Sequence, residues 1–169
     1  IEDCKMAPKI KFDPKNSDAL VSSERRKLLD PFRVLSLIPM QVHHQIADVG
    51  CGPGFFTVPL AKYVFDGKVY AIDIQKEMVE ITRKAVKSYN LTNVDTLCSE
   101  EKKLPLSDDS VDGAFVAFVL QEADNRMALL QELKRCLKKS GWLAILEWYK
   151  SETTHGPPMK QRIDSEKMQ

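Results

Sequence analysis

The sequence predicts an α/β fold built on a doubly wound, mostly parallel sheet, and three observations carry that prediction. Short apolar, strand-like segments alternate with helix-periodic ones from residue 45 to residue 149, the pattern of a parallel sheet with helices on both faces. The first strand runs into Asp48-Val49-Gly50-Cys51-Gly52-Pro53-Gly54, where glycine falls at every second position ahead of a helix-like Phe55-Phe56-Thr57-Val58. Strand, glycine turn, helix is how such a sheet builds a ligand crevice at the carboxyl ends of its strands. The length of 169 residues, with 43% apolar and 29% charged content, suits one domain around one core.

Each element follows in chain order. Residues 1 to about 20 are polar, with Pro8, Pro14 and many lysines, and read as an extended arm. Ser22-Ser23 ahead of Glu24-Arg25-Arg26-Lys27-Leu28-Leu29 predicts a short capped helix. Asp30-Pro31 starts a second, through Val34, Leu35 and Ile38, that stops near Pro39. Segment 1–44 is thus an arm with helices that pack beside the sheet or over its ligand face. The first strand is Gln45–Val49, and Pro59 falls early enough in the next helix to be tolerated.

Asp66-Gly67 marks a turn into a second strand, Lys68–Asp73. Residues 76–89 place Met78, Ile81, Ala85, Val86 and Tyr89 near one helical face, with Asn90 as the stop. A third strand covers 94–98 and a fourth 111–120, separated by a loop with Leu104-Pro105 and Ser107-Asp108-Asp109. An amphipathic helix over 126–139 runs through Met127, Leu130, Leu133 and Leu137, closed by Ser140-Gly141. The fifth strand is 142–148. Residues 150–169, with Gly156-Pro157-Pro158, read as a polar tail, which leaves 45–149 as the ligand-binding core.

A net charge of +1 gives no electrostatic case for nucleic acid or a membrane surface, and no apolar run approaches a membrane span. Cys4, Cys51, Cys98 and Cys136 are far apart, without the spacing of a zinc site. Cys98 and Cys136 fall in apolar periodic segments and read as core residues in a reduced, cytoplasmic protein. The chain opens at Ile1 rather than methionine, the expectation being an excised or processed fragment.

The glycine spacing selects the ligand. A dinucleotide fingerprint is G-x-G-x-x-G, and counted from Gly50 its third glycine would stand where this chain has Phe55. The D-x-G-x-G-x-G found here resembles motif I of the class I S-adenosylmethionine (SAM) dependent methyltransferases. Leu104-Pro105-Leu106-Ser107-Asp108-Asp109-Ser110-Val111-Asp112 is similar to the same family's segment after the third strand. Residues 133–142 resemble its helix-turn-strand segment, and Arg25-Arg26-Lys27-Leu28-Leu29-Asp30-Pro31 is similar to leaders of its quinone-type and other small-molecule members. The family completes a seven-stranded sheet with an antiparallel hairpin. Here the pattern ends after five strands, so either a truncated chain or a shorter sheet is expected.

The resemblance implies SAM as cofactor, S-adenosylhomocysteine (SAH) as product, and a site at the turn formed by Asp48, Gly50, Cys51, Gly52 and Gly54. Asp73, beside Ile74 at the end of the second strand, has the acceptor-only carboxylate that takes both ribose hydroxyl protons; the alternative is a surface aspartate capping the next helix. Glu100 and Glu101 stand where the family reads adenine, or form a solvated acidic loop. Asp48 holds the turn or approaches the methionyl ammonium, or else makes a local bond to backbone. Ala117 and Phe118 flank the methionyl end.

On the acceptor side the sequence offers Gln121 and Glu122, equally readable as capping or solvent-facing residues. His43-His44 precedes the first strand at the far end of the sheet and reads as structural, and His155 lies in the tail. No catalytic base and no metal site are assigned. The expected reaction is methyl transfer to a small organic molecule. A SAM-binding module without catalysis and an NAD-dependent oxidoreductase are the alternatives, the latter disfavoured by Phe55.

Overall fold

The computed structural model describes residues 11–100, 102–153 and 156–164. Its centre is a five-stranded sheet of order β3-β2-β1-β4-β5, made of β1 (Gln45–Val49), β2 (Lys68–Asp73), β3 (Val94–Cys98), β4 (Val111–Ala117) and β5 (Leu137–Leu146). All four strand pairs are parallel. The order reverses between β1 and β4, so a crevice opens there at the carboxyl ends of both strands. Side chains alternate across β1: Ile46 enters one core with Leu60, Val64 and Phe115, while Ala47 and Val49 enter the other with Leu129 and Leu133.

Three short helices precede the sheet: α1 (Ser17–Leu20), α2 (Ser23–Leu28) and α3 (Pro31–Leu35). Ser22 caps α2 by accepting the Arg25 N–H, and Asp30 caps α3 by accepting the Phe32 N–H ahead of Pro31. Ile38 lies in the turn after α3 rather than inside it. The polar arm is not extended throughout, because Pro14–Asn16 forms a 3-10 turn capped by Asp13.

The helix after the glycine turn is α4 (Thr57–Tyr63), two residues later than Phe55. Pro59 sits in its first turn, where a missing N–H breaks no bond. Next comes α5 (Lys76–Ser88), which packs on β2 and β3 and is ended by Asn90 in the left-handed region at φ +53°. Its buried face is Met78, Val79, Thr82 and Val86, and Tyr89 is half exposed.

The helix α6 (Arg126–Cys136) covers the opposite face of the sheet through Leu129, Leu133 and Cys136. Met127, expected on that face, points to solvent. The chain passes from α6 directly into β5, which starts at Leu137 opposite Val111 and bulges before Trp142 meets Gly113. That bulge is why the expected boundary at Ser140-Gly141 is absent. Cys98 is exposed at the sheet edge, whereas Cys136 is buried as expected. Within the expected polar tail, Arg162 and Ile163 are buried and Tyr149 bridges to Ile163. His44 accepts from Trp142 Nε1 at 3.5 Å below the sheet, a structural contact.

Candidate cofactor and acceptor site

The glycine turn is stitched to β2 and α5 through its backbone. The N–H groups of Gly50 and Cys51 both donate to the Ile72 carbonyl, at 2.8 and 3.0 Å. Gly50 lies at φ +74°, and a Cβ there would collide with Val119. Gly52 lies at φ +53° and faces open space, with nothing within 4 Å of an added Cβ. Its N–H donates to Asp73 Oδ2 at 2.9 Å and its carbonyl accepts from buried Thr82 Oγ1 at 2.6 Å. The turn is therefore held from behind while one glycine edge stays bare toward the crevice.

Two carboxylates flank it. Asp48 is 2% exposed, and Thr57 Oγ1 donates to its Oδ2 at 2.6 Å. This ties the end of β1 to the start of α4; the Asx-type alternative is replaced by a side chain to side chain bond. Burial pushes the Asp48 carboxyl up from 3.8 to about 7, opposed by the Thr57 bond and reinforced by the charge of Asp73. Asp73 accepts the Gln75 N–H on Oδ1 at 2.9 Å and the Gly52 N–H on Oδ2. Helix capping and contact with the turn thus coexist. Burial raises its pKa against the backbone N–H groups of Gln75, Gly52 and Ile74 and the charge of Lys11. A carboxylate has about four acceptor positions, so Asp73 keeps acceptor capacity for a ligand.

Both carboxylates line a cavity of about 1070 Å³ over the carboxyl ends of the strands. Of the residues expected from sequence, Gly50, Cys51, Gly52, Ile74, Glu100, Ala117, Phe118, Gln121 and Glu122 also line it. Gly54 turns away and packs on Thr82. The Cys51 thiol is buried, with its pKa pushed well above the ordinary value by burial and by Asp48 and Asp73. Glu100 is exposed and bridges backbone to Lys103. Glu101 and His155 lie outside the described residues.

Glu122 is neither a cap nor solvent-facing: its Oε2 accepts the Phe12 N–H at 3.4 Å. Gln75 Nε2 donates to the Phe12 carbonyl at 3.1 Å, so the arm is clasped across the crevice mouth. Gln121 is buried as well.

Sequence reasoning missed several lining residues. Arg25 and Leu29 come from α2 and its end, Glu147 and Trp148 follow β5, and Pro157 belongs to the segment read as a polar tail. Arg162 holds that segment in place by donating to the carbonyls of Pro157, at 2.9 Å, and Ser151. Its guanidinium carbon lies 5.5 Å from the Trp148 ring centroid. The available signal was the coincidence of Glu147 and Trp148 with the end of a parallel strand, the edge where ligands bind.

A family described as a methyltransferase domain matches residues 47–145. A SAM-dependent methyltransferase from Aquifex aeolicus superposes with a TM-score of 0.89 at 40% identity, covering 94% of this chain and 85% of that one. A demethylmenaquinone methyltransferase from Geobacillus stearothermophilus is 32% identical over 137 residues, 80% of this chain. The chain spans 57% of that relative's length. The [4+2]-cyclase SpnF shares the fold with a TM-score of 0.70 at 22% identity, covering 86% of this chain and 52% of its own; a fold alone does not fix a reaction.

Proposed function

The chain belongs to the methyltransferase-domain family, and from that premise we propose that it transfers a methyl group from SAM to a small organic acceptor, releasing SAH. The observation that carries this reading is the turn at Gly52. Its edge is open to the cavity, and its N–H ends on a carboxylate with acceptor capacity to spare. A nucleoside with an amino acid tail matches that arrangement. Asp73 takes the ribose hydroxyls, the bare backbone of Gly50 and Gly52 lies along the sugar and tail, and Asp48 faces the tail's ammonium. Ile74 and Glu100 belong to the adenine end, and Ala117 and Phe118 to the methionyl end.

Bound SAM supplies a sulfonium methyl already activated for displacement. The chain's own residues then orient the acceptor and exclude water, and alignment of this kind is worth up to roughly 7–11 kcal/mol. Phe12, clasped between Gln75 and Glu122, closes the mouth from the arm side. Pro157, clipped by Arg162, closes it from the other. Gln121 stands on the acceptor side. The name of the Geobacillus relative supports a quinone-type acceptor. Cytoplasmic residence belongs to the same proposal and rests on the free thiols of Cys51, Cys98 and Cys136.

The test is transfer of label from methyl-labelled SAM to a metabolite extract, alongside a calorimetric titration with SAH. Labelled small-molecule product with SAH binding supports the reading. SAH binding without any product indicates a binding module, and no SAH binding rejects the site.

A further inference from the structure

Three buried polar atoms of residues on the cavity lining have no hydrogen-bond partner among the described residues: Arg25 Nε, Gln121 Oε1 and Glu147 Oε2. All three residues line the cavity, and two of them contact Phe118. The Arg25 guanidinium carbon lies 5.3 Å from the Phe118 ring centroid. Gln121 Nε2 donates to the Phe118 carbonyl at 3.4 Å, which leaves its Oε1 over. Glu147 Oε1 accepts the Leu120 N–H at 2.7 Å, which leaves Oε2 over. Gln121 is 8% exposed, so water does not readily satisfy it. Buried polar atoms are costly to leave unpaired, and three from the lining of one cavity point to a ligand that pairs them.

Phe118 itself sits at φ +62°, a conformation that a bulky residue adopts only under constraint and that clusters at ligand sites. Its ring lies 5.7 Å from that of Trp148 at 34°, and Arg25 also covers Phe55 at 5.0 Å. The walls beside Phe118 are therefore flat and aromatic, and Arg25 and Glu147 line the cavity with them. Burial pushes the Glu147 carboxyl up to about 7, opposed by the backbone N–H groups of Leu120, Gln121 and Trp148 and then by the charge of Arg126, which suits a group that takes and returns a proton near neutrality.

We propose that Glu147 is the proton-taking residue and Arg25 the oxyanion-holding residue of the acceptor pocket, for a flat aromatic acceptor with ring hydroxyls. One hydroxyl donates to Glu147 Oε2. Its O–H bond breaks, the proton bonds to the carboxylate, and the electron pair stays on the aryl oxygen beside Arg25. Gln121 Oε1 accepts from a second hydroxyl. The proton leaves to solvent after the product departs. This assignment rests on the methyl-transfer reading for its purpose but not for its test.

The test titrates 2,7-dihydroxynaphthalene and its dimethyl ether by calorimetry, with and without SAH, and reads ionised naphthol by difference absorption. The wild type is expected to bind the diol at least about tenfold tighter than the ether and to raise its ionised fraction. Glu147→Gln abolishes the ionisation while retaining SAH affinity. Arg25→Met weakens diol binding about tenfold or more, and Arg25→Lys recovers part of it. If a variant loses its urea transition, the wild-type preference for the diol over the ether still decides. Equal binding of diol and ether, no diol binding, tighter binding of 2-naphthylmethylammonium, or unchanged ionisation in Glu147→Gln overturns the assignment. A wild type that prefers the diol yet ignores SAH supports the pocket and overturns the cofactor reading alone.

Discussion

Replacing Asp48 with asparagine changes how stability depends on pH. The carboxyl is 2% exposed and its pKa is raised from 3.8 to about 7, chiefly by burial. Between those values the folded state holds a proton that the unfolded state has lost, so stability falls as pH rises through this window. At about 1.36 kcal/mol per pKa unit, ionising Asp48 in place costs on the order of 4 kcal/mol. The penalty is absent below the unfolded value and complete above about pH 7. Asparagine keeps the acceptor oxygen for Thr57 Oγ1 and removes the charge.

The assay is urea unfolding of wild type and Asp48→Asn from about pH 4 to about pH 8. Glu147 and other buried acids add to the slope of both proteins, so the difference between the two curves reports Asp48 together with its coupling to Asp73. Asp48→Asn should gain on the wild type steadily up to neutral pH, by a few kcal/mol, and the gap should then stop widening. Parallel curves across the window would refute the argument that burial controls this carboxyl.

Three further substitutions test the turn. Gly52→Ala places a side chain at φ +53°, which costs roughly 1–2 kcal/mol; because the methyl enters the crevice, calorimetry should show SAH affinity reduced by far more than urea unfolding shows stability reduced. Asp73→Asn removes the charge that the ribose hydroxyls would meet, and at roughly 1.5–3 kcal/mol for a charged hydrogen bond SAH affinity should drop about tenfold to a hundredfold by the same titration. Thr82→Val keeps the shape but deletes the 2.6 Å bond to the Gly52 carbonyl. It should lower the urea midpoint by an amount equivalent to about 1–3 kcal/mol, without changing the slope of the transition.

The sheet and the turn were legible in the sequence because both are local. Residues 45–49 and 68–73 carry their own strand pattern, and three glycines in alternation leave few backbone solutions. The capping residues Ser22 and Asp30 and the stop at Asn90 were readable for the same reason. Boundaries near residue 137 were not, because β5 begins where pairing with Val111 is available, and that partner lies 26 residues earlier in the chain.

The acceptor end was illegible for a related reason. Arg25, Glu147 and Pro157, unlike Gln121, which its place after β4 already put on the acceptor side, come to line one cavity only once α2, β5 and the 156–164 segment have packed together. Each looks like an ordinary surface residue in isolation. Glu122 shows the same limit, since its partner Phe12 lies 110 residues away. Met127 was misplaced because the face that α6 buries runs through Leu129, Leu133 and Cys136, which turns Met127 to the other side of the helix.

One thermal-shift titration with SAM, SAH and NADH decides whether the glycine turn holds SAM rather than a dinucleotide. At 100 times its dissociation constant a specific ligand adds about 2.7 kcal/mol, which for a chain of this size raises the melting temperature by roughly 5–10 °C. SAM and SAH should each produce that shift and NADH none. A shift with NADH and none with SAM or SAH would make the turn a dinucleotide site instead.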